Sequence, residues 1–343
     1  MQLEKAPNTT ARINNKEYLF FSGTSYLGVP TLPVFQELVS QSILKWGTSY
    51  GSSRNANLKL NIYQKGEQYL STFLNTEDAI TVSSGTLAGH FALRSLRKKV
   101  DHFYYMPKTH PAILTDEANP VFVNSKLNSE LKNIENKSIC IIVDAVAALE
   151  TSPFSFEFLN RISETNYVYI LLDESHSLGV LGSNGNGISS QISKSKNFEI
   201  VIVSSLGKSF GVNGGVIAGN KKFISLIKKD ALFIGSAGMS PSFLEAFTNG
   251  KEIYQNQLKK LQENCSYVYE KLKHLSVVRI SKNYPVFFFE NEKIADYLYK
   301  KEVLITSFYY PASTKKINRI VLNANHTKKQ LDFLIECLIQ FNL

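Results

Sequence analysis

Short apolar runs alternate with amphipathic segments up to about residue 245. The apolar runs are rich in β-branched residues and predict strands at 79–82, 103–106, 121–123, 139–143, 167–172, 200–204 and 215–218. Helical spacing of apolar positions predicts helices at 35–45, 63–74, 86–97 and 155–164. Continuous apolar strands separated by helices are typical of an α/β protein with a mainly parallel sheet covered on both faces.

The pattern changes after residue 245. A long polar helix is predicted over 242–272, and shorter strands and helices follow it. Thr327, with Gln330 three residues later, predicts a capping box at the start of the last helix. We therefore expect an N-terminal segment (1–34), a large domain (35–245) and a smaller α+β C-terminal domain (246–343).

The amino-acid composition indicates the broad class of the protein. Of 343 residues, 43% are apolar and 20% are charged, which is typical of globular proteins. The chain has no apolar run of about 18 residues, so no membrane span is expected, and its start does not resemble a signal peptide. Three widely spaced cysteines form neither a metal pattern nor a disulfide framework, which favours a cytoplasmic protein without a metal site.

The net charge of +9 permits several partners. A basic balance can indicate nucleic acid, an anionic membrane, anionic small molecules or acidic carrier proteins. No dense basic stretch or recognition motif accompanies the charge, so nucleic-acid binding is not expected. An AT-rich gene would also produce many lysine and asparagine residues, and this explanation needs no partner.

A lysine follows the apolar run 200–204, in the segment SSLGKSFG (204–211). Gly207 and Gly211 allow close backbone approach and unusual dihedral angles. Lys208, held in such a turn, can lose its proton and form an imine with an aldehyde cofactor. An ordinary surface lysine is the alternative interpretation.

An aspartate follows the neighbouring run 167–172, where the carboxyl end of a parallel strand is expected. Pyridoxal 5'-phosphate (PLP) requires a carboxylate that keeps its ring nitrogen protonated, and Asp173 can supply it. His176 can hydrogen-bond that carboxylate or the ring oxygen. The alternative is an aspartate that merely begins a turn.

The segment SSGT (83–86) lies between a predicted strand and a predicted helix. Ser84, Gly85 and Thr86 would present backbone N–H groups at a helix N-terminus, which is a phosphate site, although a plain helix cap is equally consistent. Ser205 could add a hydroxyl group. Together with the aspartate and lysine segments, this order of motifs predicts a PLP site.

These motifs resemble the α-oxoamine synthases, a branch of the fold-type I PLP enzymes, from about residue 18 to residue 340. FSGTSYLG (21–28) is similar to the family's FSSNDYLG, and GSSRN (51–55) resembles its GSGGSR. DESHSLGVLGSNGNG (173–187) is similar to DDAHGTGVLGxxGRG, and RIVLNANHT (319–327) resembles RISLSAAHT. The resemblance implies a seven-stranded, mainly parallel sheet and a smaller α+β domain.

The resemblance also implies roles for residues that spacing alone does not identify. Arg319 would hold the carboxylate of an amino-acid substrate, and Thr24 lies where an asparagine helps to place it. His110 would stack on the cofactor ring. Ser236 falls in the segment that reaches the phosphate of the neighbouring subunit, which implies a homodimer with shared active sites.

The chain departs from the family pattern at four of these positions. Ala148 replaces a serine that bonds the ring oxygen, and Thr86 replaces an aromatic residue beside the phosphate. Thr24 replaces the asparagine, and Pro111 replaces a serine after the ring histidine. The expected cofactor site is retained, whereas the reaction is less closely defined.

By resemblance, the expected reaction joins an L-amino acid to an acyl thioester and releases carbon dioxide. The acyl carrier would be coenzyme A or an acidic acyl carrier protein. L-Alanine and a pimeloyl thioester, giving 8-amino-7-oxononanoate for biotin, are the preferred pair. Alternatives are a glycine-acetyl or serine-palmitoyl reaction, a PLP-dependent aminotransferase without thioester chemistry, and a non-catalytic binding protein.

Overall fold

The computed structural model describes residues 2–193, 195–309 and 316–342. The strands are β1 Thr10–Ile13, β2 Lys16–Phe21, β3 Asp78–Val82, β4 His102–Tyr105, β5 Ala118–Pro120, β6 Phe122–Val123, β7 Lys126–Leu127, β8 Ser138–Asp144, β9 Tyr167–Asp173, β10 Phe198–Ser205, β11 Gly215–Gly219, β12 Val278–Arg279, β13 Val286–Phe289, β14 Val303–Tyr309 and β15 Lys316–Val321. The α-helices are α1 Pro33–Trp46, α2 Asn61–Phe73, α3 Gly85–Leu96, α4 Ser129–Asn133, α5 Lys221–Lys228, α6 Ala231–Gly235, α7 Pro241–Asn249, α8 Lys251–Leu272, α9 Ile294–Lys300 and α10 Lys328–Asn342.

Seven strands form the larger sheet, in the order β3-β11-β10-β9-β8-β4-β5. β11 runs antiparallel to both neighbours, and the other pairs are parallel. Side chains of β8 alternate between two apolar clusters: Cys140 and Ile142 pack into one, and Ile141 and Val143 into the other. The sheet is therefore covered on both faces, as the continuous apolar runs predicted.

A second sheet has the order β1-β2-β14-β15-β13-β12 and is mostly antiparallel. The β2–β14 pair is parallel and joins the start of the chain to its C-terminal part. Val286, Ile320 and Leu334 are buried on the α8 and α10 side of this sheet. The domain boundaries after residues 34 and 245 stay predictions.

Three predicted elements differ from the observed ones. The predicted strand 121–123 is present as β6, Phe122–Val123, but it pairs with β7 outside the larger sheet, whose edge strand is β5. The predicted helix 155–164 is only a short 3₁₀ helix, Glu157–Arg161. The predicted helix 242–272 is broken at Gly250, which ends α7 and precedes α8, as glycine often does at a helix end.

Several smaller expectations are also checked by the structure. The capping box is confirmed: Thr327 N donates to Gln330 Oε1 at 2.9 Å, and Gln330 N donates to Thr327 Oγ1 at 3.3 Å. The three cysteines are free and buried. Within the described ranges, no helix is long and apolar enough to cross a bilayer.

Candidate active site

Lys208 and His176 meet at the carboxyl edge of the larger sheet. Lys208 lies in the turn after β10, and His176 lies in the turn after the adjacent parallel strand β9. Lys208 Nζ is 3.0 Å from His176 Nε2. The structure thus brings together two residues that are 32 positions apart in the sequence.

Two tyrosines hold His176 from the other side. The Tyr26 hydroxyl is 2.7 Å from His176 Nδ1, and the Tyr284 hydroxyl donates to the His176 carbonyl oxygen at 3.2 Å. Tyr26 is fully buried, and this burial raises its pKa to about 12. Burial lowers the pKa of His176 well below its usual range, with smaller contributions from Lys208 and Arg319. The imidazole is therefore neutral and fixed at both nitrogens.

The electrostatic environment of Lys208 favours a neutral amine. Burial lowers the pKa of Lys208, and the Arg319 guanidinium lowers it further. Asp173 and Asp144 oppose this effect but do not reverse it. Lys208 is therefore not the water-exposed lysine of the alternative interpretation, and a larger fraction of its amine is unprotonated near neutral pH than on a surface lysine.

Asp173 is paired with a second carboxylate that the sequence analysis missed. Asp144 ends β8 directly opposite Asp173, which ends β9. Asp173 Oδ1 accepts from Ser175 N at 2.8 Å, and Asp144 Oδ2 accepts from His110 N at 2.9 Å. Asp144 follows the apolar run 139–143 just as Asp173 follows 167–172, so the same signal could have identified it.

The start of α3 packs against the end of β10. Ser84 caps α3 by accepting from Leu87 N at 3.2 Å. A Cβ added to Gly85 would lie 2.7 Å from Ser205 Cβ, so glycine permits this close approach. Ser84 and Thr86 are exposed. Ser84 can therefore cap α3 while the exposed start of this helix, beside Ser205, stays accessible to a phosphate.

Glycines in segment 179–187 shape the loop that follows His176. Gly179 and Gly187 have φ angles of +78° and +84°, which favour glycine. The buried Glu174 carboxylate accepts from Ile188 N and Ser189 N, both at 2.8 Å. Burial raises the pKa of Glu174 to about 7. The Glu174 carboxylate therefore fixes the C-terminal end of the glycine segment.

Arg319 reaches the site from the second sheet. It lies on β15 and donates from Nη2 to the Gly23 carbonyl oxygen at 3.2 Å. Its Nε is buried without a hydrogen-bond partner among the described residues. Thr24 follows Gly23 and is partly buried. The guanidinium therefore keeps a donor for an anionic ligand beside the Thr24 segment.

His110 and Ser236 make local contacts in the single chain. His110 is exposed, and its Nδ1 accepts from Ala112 N at 3.1 Å, at the start of the turn that contains Pro111. Ser236 Oγ donates to the Phe233 carbonyl oxygen at 3.0 Å at the end of α6. In the described part of the chain, no hydrogen bond joins Ser236 to another candidate residue. Ala148 has no side-chain donor.

The donor set fits PLP, which presents an aldehyde, a ring nitrogen and a phosphate. Lys208 provides the amine, Asp173 the carboxylate and Gly85 the close-packed helix start. Asp173 can begin a turn and still bind the ring nitrogen, because Ser175 N occupies Oδ1 and no other side-chain hydrogen bond of Asp173 is seen among the described residues.

Comparisons with known proteins identify the family of the chain. A family model for aminotransferase class I and II matches residues 28–338. The chain is 26% identical to 8-amino-7-oxononanoate synthase of Petrotoga mobilis, over 97% of this chain and 90% of the relative. It is 23% identical to serine palmitoyltransferase of Bacteriovorax stolpii, over 97% of this chain and 84% of the relative.

Solved structures show the same fold. Serine palmitoyltransferase of Sphingomonas wittichii superposes with a TM-score of 0.83 at 17% identity, covering 99% of this chain and 91% of that chain. 8-Amino-7-oxononanoate synthase of Francisella tularensis gives 0.73 at 24% identity, covering 94% and 97%. The predicted fold class, fold-type I with a mainly parallel seven-stranded sheet, is confirmed.

Proposed function

Because the chain belongs to the aminotransferase class I and II family, we propose that it is a PLP-dependent acyltransferase of the α-oxoamine synthase type. It condenses an L-amino acid with an acyl thioester and releases carbon dioxide to give an α-amino ketone. The Lys208–His176 contact of 3.0 Å, with Asp173 and Arg319 beside it, is the observation that carries this proposal. Curated relatives named 8-amino-7-oxononanoate synthase favour L-alanine and a pimeloyl thioester as substrates, for biotin biosynthesis.

Each part of the cofactor has a proposed set of residues. Lys208 would hold the aldehyde carbon, Asp173 would pair with the ring nitrogen and His176 would bond the ring oxygen. The phosphate would be held by Ser84, Gly85, Thr86, Ser205 and, in a homodimer, Ser236 of the partner subunit. His110 would cover the ring. Bound PLP supplies an electron-withdrawing ring that stabilises negative charge on the α-carbon of the substrate.

Arg319 holds and orients the amino acid. Its guanidinium can bind a carboxylate with two parallel hydrogen bonds, and its buried Nε has no partner in the described part of the chain. Thr24 lies next to Gly23, whose carbonyl oxygen accepts from Arg319. This fixed anchor sets the distance between the α-carbon and Lys208.

Lys208 removes the α-proton as general base. Burial lowers the pKa of Lys208, so the free amine needed for proton transfer is more populated than on a surface lysine. His176 stays neutral and holds the amine through Nε2. The hydroxyl of Tyr26 keeps its proton and can donate it to Nδ1, which leaves Nε2–H directed at Lys208.

The choice of acyl donor is the least constrained part of the proposal. Coenzyme A and an acidic acyl carrier protein both suit a chain with a net charge of +9. L-Serine is the second amino-acid candidate, because a curated relative is named serine palmitoyltransferase.

The test combines absorbance spectroscopy with an assay for released thiol. Purified protein is loaded with PLP, and its visible spectrum is recorded with L-alanine, glycine and L-serine in turn. L-Alanine should perturb the visible band, and a pimeloyl thioester should then release free thiol. Lys208→Ala should lose the band and at least about a hundredfold in turnover, whereas the exposed control Lys229→Ala should lose neither.

Other outcomes identify the alternatives. Perturbation by L-serine with thiol release from palmitoyl thioester would indicate the serine reaction. Conversion of PLP to its amine form without thiol release would indicate an aminotransferase. Absence of PLP binding would overturn the proposed function and favour a binding protein.

A further inference from the structure

Asp144 and Asp173 form a pair of acidic side chains at the carboxyl edge of the larger sheet. They occupy facing positions on the parallel strands β8 and β9, and Ala145 N donates to the Asp173 carbonyl oxygen at 2.8 Å. Within the described residues, neither aspartate belongs to an ion pair. Ionising both of two adjacent carboxylates away from water is energetically unfavourable.

The two side chains differ in solvent access. Asp144 is only 3% exposed, whereas Asp173 is partly buried. Asp144 Oδ2 accepts from His110 N at 2.9 Å, but Asp144 Oδ1 is buried and has no hydrogen-bond partner among the described residues. An ionised Asp144 would therefore hold a charged oxygen without a donor, which is strongly unfavourable. A proton on Oδ1 removes the buried charge, which is the larger part of that cost, and leaves Oδ2 free to accept the amide.

We propose that Asp144 is a positioning residue that carries a proton on Oδ1 in the folded protein, so that the negative charge of the pair resides on Asp173. This arrangement gives a ring nitrogen a single ionised partner, and it holds His110 by a neutral carbonyl oxygen. Its role in the reaction rests on the proposed function, but the protonation itself does not.

The charged groups around Asp144 act in opposite directions. Burial raises the pKa of Asp144 well above its usual range, and the charge of Asp173 raises it further. The His110 amide lowers it by a smaller amount, and so does any positive charge on Lys208. Tyr284, the other titratable neighbour, has a pKa raised mainly by burial and is uncharged near neutral pH. The neutral form of Asp144 is therefore favoured near pH 7.

Infrared difference spectroscopy of the cofactor-free protein measures this proton directly. The spectrum of wild type minus Asp144→Asn at pH 7 should contain the carbonyl-stretch band of a protonated carboxylic acid. Glu174, whose pKa is about 7, is present in both proteins, so its bands cancel in the difference spectrum. Asp101→Asn is the matched control, because Asp101 also accepts a backbone amide, from Ser138 N at 2.9 Å, but is exposed. Its difference spectrum should contain only carboxylate bands.

A second measurement needs no variant. Carbon-13 NMR of wild-type protein labelled at the aspartate carboxyl carbon should give one resonance in the protonated position at pH 7. Only carboxylate resonances at that pH, or an Asp144→Asn difference spectrum without an acid band, would overturn the proposal. Neither result would bear on PLP chemistry, so the two proposals can fail separately.

The loaded protein supplies the functional readout. Asp144→Asn should keep the pH midpoint of the visible band of bound PLP, because a neutral side chain replaces a neutral one. Asp173→Asn should displace that midpoint, because it removes a charge, and should weaken PLP binding by about tenfold or more, since a charge-assisted hydrogen bond is lost. An Asp144→Asn midpoint displaced as far as that of Asp173→Asn would mean that Asp144 is ionised.

Discussion

At the scale of single residues, the site depends on how the imidazole ring of His176 is held. Lys208 contacts Nε2 and Tyr26 contacts Nδ1, so one buried ring links the proposed base to a tyrosine that lies 150 positions before His176 in the sequence. The histidine and the tyrosine are uncharged near neutral pH because burial lowers the pKa of one and raises the pKa of the other. Their hydrogen bonds fix the ring tautomer rather than exchange charge.

Tyr26→Phe is expected to lower kcat by about tenfold, because His176 Nδ1 loses its donor and a buried unsatisfied acceptor costs about 1–3 kcal/mol. The effect should fall on kcat more than on KM, since Arg319 still holds the substrate. Tyr254→Phe is the control: it also removes a buried hydroxyl donor, to the Phe210 carbonyl oxygen at 3.3 Å. Steady-state kinetics in which both variants lose the same kcat would contradict a positioning role for Tyr26.

Most of the candidate residues that the structure brings together here could be predicted from the sequence, whereas the residues that support them could not. Lys208, Asp173 and Ser84 each follow an apolar run, and parallel strands bring their carboxyl ends to one edge. Asp144 was missed because its strand carried no accompanying motif. Tyr284 lies in the connection between β12 and β13, and no local pattern places a tyrosine against the carbonyl of His176. Such contacts follow from tertiary packing.

At the scale of elements, the α3 N-terminus and the end of β10 must approach closely. Gly85→Ala is expected to weaken PLP binding by about tenfold. The added Cβ would lie 2.7 Å from Ser205 Cβ and 2.8 Å from Ser205 Cα, so α3 must shift. Fluorescence titration with PLP measures the affinity. An alanine at Gly51, where a Cβ meets nothing within 4 Å, is the control. Equal affinities for both variants would show that the phosphate does not bind at this helix start.

The loop after β15 is tied to β2 by a buried histidine. His326 Nδ1 accepts from Asn323 N at 2.9 Å, and its Nε2 is 3.1 Å from the Phe20 carbonyl oxygen, so Nε2 carries the proton. The ring also stacks on Phe21 at 4.1 Å. Burial lowers the pKa of His326 to about 4. Both nitrogens are satisfied only in the neutral form.

This pKa predicts a loss of stability in acid. Between pH 6.5 and about 4 the unfolded chain binds a proton that folded His326 does not, so the free energy of unfolding falls as pH decreases. The shift from 6.5 to about 4 corresponds to about 3 kcal/mol. Urea denaturation of the cofactor-free protein at pH 7 and pH 4 should show that His326→Gln removes this part of the pH dependence. The exposed His274→Gln should retain it, and an unchanged pH dependence in His326→Gln would contradict the assignment.

Most helices and strands were predictable from the sequence, and each exception has a physical reason. Apolar runs over 139–143 and 167–172 appear as β8 and β9 because both sheet faces are buried. Periodicity alone could not find the break at Gly250, since one glycine is tolerated within many helices. The segment 155–164 has helical spacing but forms only a 3₁₀ helix, because packing rather than spacing decides short elements.

At the scale of the whole molecule, two sheets contribute to one site. Lys208, His176 and Asp173 follow strands of the larger sheet, whereas Arg319 lies on β15 of the second sheet. Tyr26 lies between β2 and α1 and contacts the first group, and Gly23 in the same segment contacts Arg319. The segment 21–28 therefore connects the residues proposed for the cofactor with the residue proposed for the substrate.

The proposed homodimer makes a prediction about an apolar surface beside Ser236. Leu58, Leu232 and Ile234 are 74%, 51% and 41% exposed, and the Ser53 hydroxyl donates to the Ile234 carbonyl oxygen, which brings the two segments together. Contiguous exposed apolar side chains of this kind mark interaction sites. We expect a second copy of the chain to cover them and to bring its Ser236 to the phosphate.

Wild-type protein should therefore sediment as a dimer. The double variant Leu232→Glu, Ile234→Glu should sediment as a monomer, because buried like charges oppose association. Its PLP binding should be at least about tenfold weaker, because each site loses a contribution from its partner. Phe333→Glu, which places a glutamate at a 40% exposed aromatic residue on α10, should stay dimeric and bind PLP normally. A double variant that is monomeric but keeps full PLP affinity would mean that the subunits associate without sharing the site, and Ser236 would then be a cap on α6 alone. A wild type that is monomeric and binds PLP at full affinity would remove the partner subunit from the proposed phosphate site altogether.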